Sequence, residues 1–252
     1  RQGYNILLVD KRNLDSYPPI RQKACGGLLS PDAQRVLASL NLNLPNDVLA
    51  NPQLFSVTTI DLNTRLSRNY QRFYLNMDRE KFDRYLSSKI HPNVSKRYSV
   101  LVSKIEYADN LYVIHTNINE KFSSKILIGC DGAGSIVRKI FFKQDKLSVK
   151  PYYAIQHVYK CEDASAKYYA IFDKTLTDYS GWAFPKDNTF TVGMAFPEGA
   201  DGNSLFDELV CKLRDYGLSI NEVIRREGSL LLRPNGYAKV FAKNNSTLFL
   251  AG

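Results

Sequence analysis

An acidic side chain at the end of an apolar segment is the first candidate for chemistry in this sequence. The Ile-Leu-Ile run at 126–128 leads through two small residues into Asp131 and Gly132. A buried strand that stops at small residues and continues as a helix predicts a turn at the carboxyl edge of a parallel sheet. Ligands bind at that edge in open α/β sheets, so Asp131 and Gly132 are candidate ligand-binding residues.

A second acid follows another apolar segment. Residues 4–9 have the pattern of a buried parallel strand, and Asp10 and Lys11 come directly after it. In dinucleotide-binding proteins a carboxylate in this place accepts two hydrogen bonds from a ribose diol. Strands also end in Asp because its side chain closes a turn, and on the residues alone the turn is the commoner explanation.

The loop Lys23–Gly27 is the third candidate. Gly26 and Gly27 allow the backbone to approach a flat or anionic ligand closely, and a helix start at Ser30 adds unpaired backbone N–H groups. Cys25 beside them is small, polarizable and a candidate reactive group. The alternative is a plain loop with a buried thiol, which the residues without further context favour.

Arg79 stands near the start of a predicted helix capped by Asp78. A cation is unfavourable at that end of the helix dipole, so we expect an anionic partner. A ligand phosphate and the carboxylates of Asp78 or Glu80 are equally open candidates.

Trp182 and Phe184 lie in the aromatic segment 179–193. Aromatic side chains on a sheet are usually core residues. They form a substrate wall only where that sheet covers a pocket.

The composition excludes several classes of protein. Hydrophobic residues make up 44% and charged residues 23% of the 252 residues, which is typical of a globular chain, and no apolar run is long enough to span a membrane. The three histidines have no Ser or Cys partner in a recognisable motif, so a hydrolase triad has no support. The four widely spaced cysteines form no CxxC pair, which argues against a metal site and favours a reducing, cytoplasmic location.

The net charge of +9 permits contact with an anionic membrane surface. Because the basic residues are spread along the chain, we expect no nucleic-acid binding.

The patterning predicts two interleaved domains in an α/β chain that is α+β overall. One is a Rossmann-like domain with a parallel sheet (1–50 and 77–145), and the other is a mostly antiparallel β domain (51–76 and 146–240), with a return strand at 241–252. Both ends fall in apparent strands, from which we expect a piece of a longer protein. The predicted strands cover 5–10, 53–62, 70–76, 100–102, 111–114, 122–130 and 247–252, an antiparallel sheet covers 151–196, and the predicted helices cover 32–40, 79–90, 203–216 and 220–226.

Five segments together resemble the flavoprotein family of geranylgeranyl reductases and para-hydroxybenzoate hydroxylase-type enzymes. The similarity is greatest to the reductase branch, and within it to the CbrA-like bacterial flavoproteins. The segments that carry the resemblance are 6–10, 23–28, 78–83, 129–132 with Ser135 and Arg138, and 182–193.

The resemblance implies an FAD site and a role for each candidate. It implies contacts of Asp131 and Gly132 with the FAD pyrophosphate and ribose region, partly through water or a cation. The loop at 23–27 is implied beside the isoalloxazine, and Trp182 and Phe184 at the substrate. The remaining implied cofactor contacts are Asp10, Lys11, Arg79, the Val102 backbone near the adenine, and Gly252.

Three departures from the family pattern affect these implications. The glycine-rich phosphate loop and an acid expected after Gly252 lie outside the chain, which places FAD binding by this chain alone in question. Ser180 stands where the branch has Tyr, and Ala195 replaces a Gly of the aromatic motif. These two changes concern the substrate and not the cofactor.

The function expected from the resemblance is an FAD-dependent oxidoreductase that reduces double bonds of a hydrophobic, isoprenoid-like substrate, with NAD(P)H or another reductant as electron donor. Hydroxylation of an aromatic or other hydrophobic compound by a monooxygenase is the alternative. A non-catalytic protein that binds a flavin or a lipid is the second alternative. The flavin supplies the chemistry in the first two, which explains why the chain shows no acid–base constellation.

Overall fold

The computed structural model describes residues 3–16, 23–142, 149–161, 165–234 and 241–251. Its contacts divide the chain into two compact units. Arg1–Ile20, Leu86–Lys150 and Leu232–Gly252 form the first unit, and Arg21–Tyr85 and Pro151–Leu231 form the second unit. Within the described ranges, none of the helices has the length and apolar character needed to cross a bilayer.

Strands predominate over helices in the described part of the chain. The elements, in chain order, are β1 (Leu7–Asp10), β2 (Leu28–Leu29), α1 (Pro31–Ser39), β3 (Leu54–Asp61), β4 (Leu66–Asn76), α2 (Arg79–Ser88), β5 (Ser95–Tyr98), β6 (Val102–Ala108), β7 (Leu111–Thr116), β8 (Lys121–Ser124), β9 (Leu127–Gly129), α3 (Ile136–Phe141), β10 (Val149–Lys160), β11 (Lys167–Phe172), β12 (Gly181–Lys186), β13 (Thr189–Pro197), α4 (Gly202–Tyr216), β14 (Val223–Pro234), β15 (Phe241–Lys243) and β16 (Leu248–Leu250).

An eight-stranded sheet dominates the second unit, in the order β14-β10-β13-β12-β11-β3-β4-β2. The pairs β10–β13, β13–β12 and β12–β11 are antiparallel, which confirms the antiparallel sheet predicted over 151–196. β11 pairs with β3 in the parallel direction, and β3 pairs with β4 as an antiparallel hairpin. The parallel contact between β11 and β3 brings two segments that are distant in sequence into one sheet.

Helix α4 and one face of this sheet share the largest core cluster. Asp201 caps the helix by accepting a hydrogen bond from the Ser204 N–H at 3.3 Å, and Gly217 ends it with a φ of 104°. Leu209 and Leu213, at the spacing that predicted the helix, are fully buried among side chains of β11, β12 and β13. Burial of two leucines stabilises the unit by about 3–6 kcal/mol in transfer free energy, which is why α4 fixes this face.

The first unit contains three small sheets. β1 and β5 are parallel, β9 and β16 are parallel with β15 at the edge, and β6, β7 and β8 form an antiparallel meander. Parallel strands beside an antiparallel block confirm the predicted α/β fold class. The core of this unit is built by Ile105, Tyr112, Ile114, Val137, Phe142 and Leu248.

Several element predictions are corrected by the structure. The helix predicted over 220–226 is wrong: β14 begins at Val223 and joins the edge of the sheet beside β10, where the Lys160 N–H bonds to the Glu222 carbonyl at 2.9 Å. A partner strand that is distant in sequence decides this segment against its local helix pattern. The strand predicted over 122–130 is two strands, β8 and β9. The strand predicted from residue 100 begins at Val102.

Burial of two predicted apolar faces is also corrected. β1 is parallel as predicted, but its residues are exposed or half-buried, so it is not a buried strand. Helix α1 is capped by the Ser30 hydroxyl as predicted, yet none of its residues is buried and Val36 and Leu40 are exposed. Amphipathic spacing predicts which face of a helix is apolar, but it does not predict which element packs against that face.

The compact units group two segments differently from the predicted domains. Residues 23–50 and 77–85 belong to the second compact unit, because β2 pairs with β4 and α1 packs on β4. The prediction that 1–50 and 77–145 bind the cofactor is a statement about function and stays a prediction.

Candidate functional site

A cavity of about 280 Å³ lies within the second unit. One wall is the loop Ala24–Leu28, and the other is the face of the large sheet opposite to α4. The sheet side is lined by Ala154 and Gln156 of β10, Tyr168 of β11, Trp182 and Phe184 of β12, and Glu227, Gly228, Ser229 and Leu231 of β14. The sheet therefore does cover a pocket, which is the condition under which its aromatic side chains form a substrate wall.

The two glycines of the loop are required by close packing. A Cβ on Gly26 would lie 2.9 Å from Cζ of Phe184, and Gly27 has a φ of +67° with the Met77 carbonyl oxygen directly against its Cα. The Gly27 carbonyl accepts a hydrogen bond from the Met77 N–H at 2.9 Å. The loop is thus held against Phe184 at Gly26, and the loop and the aromatic wall line the cavity together.

The side chain of Lys186 also holds this loop in place. The sequence reasoning did not identify this residue. Its ammonium group donates to the carbonyls of Gly27, at 3.3 Å, and of Met77. Burial lowers the pKa of Lys186 to about 8. A half-buried amine with a lowered pKa beside the loop is a site where protonation changes the local electrostatics. The only signal for it in the sequence is a lysine at the end of an aromatic strand.

The Cys25 thiol is exposed and lines the cavity. Its Sγ lies 3.5 Å from the Gly27 nitrogen and 3.6 Å from Nη1 of Arg79. The alternative of a buried thiol in a plain loop is therefore excluded for this structure, because the sulfur faces both the cavity and a guanidinium group.

Arg79 is paired, but not with either of the carboxylates proposed from the sequence. Its Nε donates to Oδ1 of Asp83, one helical turn further on, at 2.7 Å. The Asp78 carboxylate instead caps α2 by accepting from the backbone N–H groups of Glu80 and Lys81 at 2.8 and 3.1 Å, as predicted for a cap.

Lys23 is connected to α2 through two contacts. The Glu80 carboxylate accepts from the Lys23 backbone N–H at 2.8 Å, and the Lys23 ammonium lies 3.8 Å from Asp83. Helix α2 therefore anchors the start of the loop, and Arg79 and Lys23 share the Asp83 carboxylate.

A line of polar groups crosses the apolar wall of the cavity. Trp182 Nε1 donates to Oε1 of Gln156 at 2.9 Å, and Nε2 of Gln156 donates to Glu227 at 2.8 Å. Arg225 completes the line by donating to the other Glu227 oxygen at 2.5 Å. Gly193 makes room for the indole, since any Cβ there would collide with the Trp182 ring. These bonds fix the indole plane and neutralise a carboxylate at the cavity.

Gln156 and Glu227 were missed by the sequence reasoning. The alternation along β10 contained the signal for Gln156. Glu227 was missed because the segment just before it, 220–226, was predicted as a helix, so the strand that carries Glu227 was not recognised.

Tyr168 completes the aromatic wall. Its ring stacks on Phe184 with centroids 6.1 Å apart and on Tyr74 with centroids 5.2 Å apart. Burial raises the pKa of the Tyr168 phenol above its ordinary value.

Asp131 and Gly132 lie in the first unit. Both Asp131 oxygens bond within the chain, one to the Ser135 hydroxyl at 2.5 Å and the other to the Ile136 N–H at 2.7 Å. Gly132 has a φ of +73°, and no atom lies within 4 Å of the position that its Cβ would occupy. The acid closes the turn into α3, and the turn presents open backbone at the end of β9. Direct contact of Asp131 with a cofactor stays a prediction.

Asp10 also forms a turn. Its Oδ1 accepts from the Arg12 N–H at 2.8 Å, which is the structural alternative foreseen from the sequence. Its side chain is partly exposed, so it is still accessible to a diol.

The other predicted residues outside the cavity have simple positions. Lys11 is exposed, and Val102 opens β6 and packs on the core of the first unit. Gly252 lies outside the described residues. Cys130, expected at the end of a buried strand, is exposed, because β9 ends at the sheet edge.

The cavity thus unites five of the predicted residues. Cys25, Gly26, Gly27, Trp182 and Phe184 line it. Lys23 connects the start of the loop to α2, and Arg79 of α2 lies beside Cys25. Asp10, Lys11, Val102, Asp131 and Gly132 belong to the first unit.

The residues present fit a flavin in part. In the first unit, the turn after β9 presents open backbone at Gly132, which suits a pyrophosphate. In the second unit, the cavity beside the glycine loop has an aromatic wall, which suits a flat ring. Asp10 has the chemistry for a ribose. Asp131 fits as the residue that shapes its turn, since its own acceptor atoms are already engaged.

Solved structures that superpose on this chain include a reductase-like protein and two monooxygenases. A geranylgeranyl bacteriochlorophyll reductase-like protein from Thermoplasma acidophilum superposes with a TM-score of 0.71 at 15% identity, over 98% of this chain and 64% of that one. PqsL, a probable FAD-dependent monooxygenase from Pseudomonas aeruginosa, gives a TM-score of 0.65 at 14% identity, over 100% and 72%. The p-nitrophenol 4-monooxygenase PnpA from Pseudomonas putida gives 0.67 at 13% identity, over 99% and 66%. The chain therefore has the fold that these proteins share.

Sequence similarity then identifies the family. Protein CbrA from Escherichia coli O157:H7 is 35% identical over 247 residues, which cover 96% of this chain and 69% of CbrA, and Protein CbrA from Shigella sonnei gives the same values. No protein-family model matches the chain. The chain belongs to the CbrA family, as the resemblance of its segments predicted.

Proposed function

We propose that the protein is an FAD-dependent oxidoreductase that reduces carbon–carbon double bonds of a hydrophobic, isoprenoid-like substrate. The observation that carries the proposal is the cavity between the Cys25–Gly26–Gly27 loop and the wall formed by Trp182 and Phe184. A largely apolar cavity with a few fixed polar groups is typical of a small-molecule site, and the fold is shared with flavin-related proteins.

The residues of this chain bind and orient the substrate. A bound FAD supplies hydride transfer, so no protein nucleophile is required. Trp182 presents a rigid face because Gln156 holds its indole nitrogen, and Phe184 is clamped between Tyr168 and Gly26. The aromatic side chains exclude water from the cavity. Its volume is at the small end of ligand pockets, roughly 300–1,000 Å³, so we expect it to hold the reacting segment of a longer chain.

The proposed electron donor is NAD(P)H or another reductant, and the proposed location is the cytoplasm. All four cysteines are free thiols, which suits a reducing compartment.

The test uses the purified full-length protein. We expect a flavin absorption spectrum that a reductant bleaches reversibly, and reoxidation by a prenyl alcohol or prenyl lipid in the absence of oxygen. The product, measured by mass spectrometry, should carry two additional hydrogens for each reduced bond. A flavin that is reduced but never reoxidised by any prenyl compound would contradict the proposal. A hydroxylated product on admission of oxygen would then favour a monooxygenase, and no product in either condition would favour a non-catalytic binding protein.

Hydroxylation by a monooxygenase is the second candidate. The line Trp182–Gln156–Glu227 favours it, because it offers hydrogen-bonding groups to a polar substituent on an otherwise apolar substrate. A monooxygenase forms no product without oxygen. Its product gains an oxygen atom, whereas the product of a reductase gains two hydrogen atoms for each reduced bond. The same anaerobic experiment therefore separates the two.

A further inference from the structure

The sheet face that carries the cavity continues onto the hairpin β3–β4. In the strand register Tyr168 pairs with Val57, and Val57 pairs with Tyr70. Phe172 and Leu66 share this face, because they lie four residues from Tyr168 and Tyr70 along their strands. A continuous surface therefore runs from the wall of the cavity to the outer strand β4.

This continuation is apolar and exposed. Leu66 is 70% exposed, Phe55 60%, Phe172 46% and Tyr70 41%. Phe55 stacks on the half-buried Phe73 with centroids 5.2 Å apart, and Phe172 and Leu66 both lie opposite Asp61 in the strand register. Exposed apolar side chains that share one face of a sheet mark an interaction site.

The same hairpin is basic. Residues 54–76 contain three arginines, Arg65, Arg68 and Arg72, and one acid, Asp61. Arg72 lies 5.4 Å above the ring of Tyr74. Within the described residues no carboxylate forms an ion pair with any of the three guanidinium groups. We call Phe55, Arg65, Leu66, Arg68, Tyr70 and Arg72 the hairpin surface.

Protection of an exposed sheet edge against pairing with another strand accounts for part of the basic character of the hairpin. β2 pairs with β4 at Leu75 and Asn76, and no other strand of the described ranges pairs with the outer edge of β4. Charged side chains on such an edge discourage pairing with another strand. Edge protection does not account for exposed phenylalanine and leucine, which promote association.

We propose that the hairpin surface docks on an anionic lipid bilayer. Aromatic and aliphatic side chains enter the boundary between headgroups and acyl chains, while arginines contact the phosphates. Each arginine near such a surface strengthens binding about fivefold. A bilayer is also where an isoprenoid substrate dissolves, and the surface leads to the cavity. The link between the bilayer and the substrate cavity rests on the proposed function, whereas the charge and the exposure of the hairpin surface do not.

The experiment measures sedimentation of the full-length protein with vesicles, without turnover. We expect binding to phosphatidylglycerol–phosphatidylcholine vesicles and little binding to phosphatidylcholine alone. Replacing the three arginines (R65Q, R68Q and R72Q) should weaken binding roughly 100-fold. The double variant F55S and L66S should also weaken it while leaving its salt dependence unchanged, and this variant decides the question if the arginine variant does not fold.

A matched control removes the same charge elsewhere. Lys121, Lys125 and Lys139 are exposed, and their replacement by Gln should leave vesicle binding within about threefold of the unmodified protein, by long-range charge alone. Equal weakening by both triple variants would overturn the proposal. So would arginine-dependent binding of single-stranded nucleic acid, or arginine-dependent dimerisation, without binding to vesicles. Failure of vesicle binding leaves the flavin reaction to be judged by its own assay.

Discussion

The indole nitrogen of Trp182 donates a hydrogen bond to the Gln156 side chain at 2.9 Å, across the β12–β13–β10 region of the sheet. Gly193 on the intervening strand β13 pairs with both residues, and its missing side chain leaves space for the contact. This hydrogen bond fixes the orientation of the Trp182 ring, so the ring forms a rigid part of the cavity wall.

Replacement of Gln156 by Leu should therefore affect both stability and substrate use. It leaves the Trp182 N–H without its acceptor and removes one of the two donors to the Glu227 carboxylate, which keeps Arg225, and this costs about 1–3 kcal/mol of unfolding free energy. We expect a raised KM in the turnover assay as the indole loses its orientation. Denaturant unfolding and steady-state kinetics measure the two effects. The exposed Gln71 on β4, changed to Leu, is the control and should change neither; equal effects would remove Gln156 from the site.

Replacement of Asp131 by Ala should lower the FAD content of the full-length protein. Because the Asp131 oxygens bond to Ser135 and Ile136, the variant should also lose about 0.5–2 kcal/mol of stability through the weakened start of α3. Ser135→Ala disturbs the same turn but keeps the acid. If Asp131 also meets the cofactor, Asp131→Ala should lose more FAD than Ser135→Ala at equal stability. Equal losses would limit Asp131 to shaping the turn.

Cys25 should be the cysteine that FAD protects from alkylation. Its sulfur lies on the cavity beside Gly27 and Arg79, so we expect Cys25→Ser to retain FAD but to change turnover or product pattern. The exposed Cys211 of α4, on the opposite face of the sheet from the cavity, provides an internal control and should react with or without FAD. Mass spectrometry of labelled peptides measures both sites. Identical labelling of Cys25 in the two forms would place it away from the flavin.

Lys186 should make stability depend on pH between about 8 and 10.5. Its pKa is lowered to about 8 from 10.5, mainly by burial. Since the unfolded chain binds more protons in this window, the free energy of unfolding rises with pH there, by about 3 kcal/mol at most. Other groups titrate over the same range, so the measured quantity is the difference between the unmodified protein and Lys186→Met. A difference that stays flat from pH 8 to 10.5 would contradict the lowered pKa.

Local signals predicted many elements correctly. The caps at Ser30 and Asp78 mark the starts of α1 and α2, and leucine spacing marks α4, because capping and amphipathicity act within a few residues. The prediction for the segment from Val223 was wrong because its conformation depends on a distant partner. That partner, β10, is more than 60 residues away in the chain. Without that strand, Glu227 was not placed at the cavity.

Sequence alone determined the candidate loop Cys25–Gly27, the aromatic pair Trp182 and Phe184, the fold class and the family, because these rest on residue types in short segments. Tertiary structure decided which candidates meet. It placed the loop against the aromatic wall, gave Arg79 the partner Asp83, engaged both oxygens of Asp131 within its own turn, and brought in Lys186. The physical reason is that contacts of β11 with β3 and of β14 with the sheet edge join segments far apart in the chain, and no local pattern encodes such pairing.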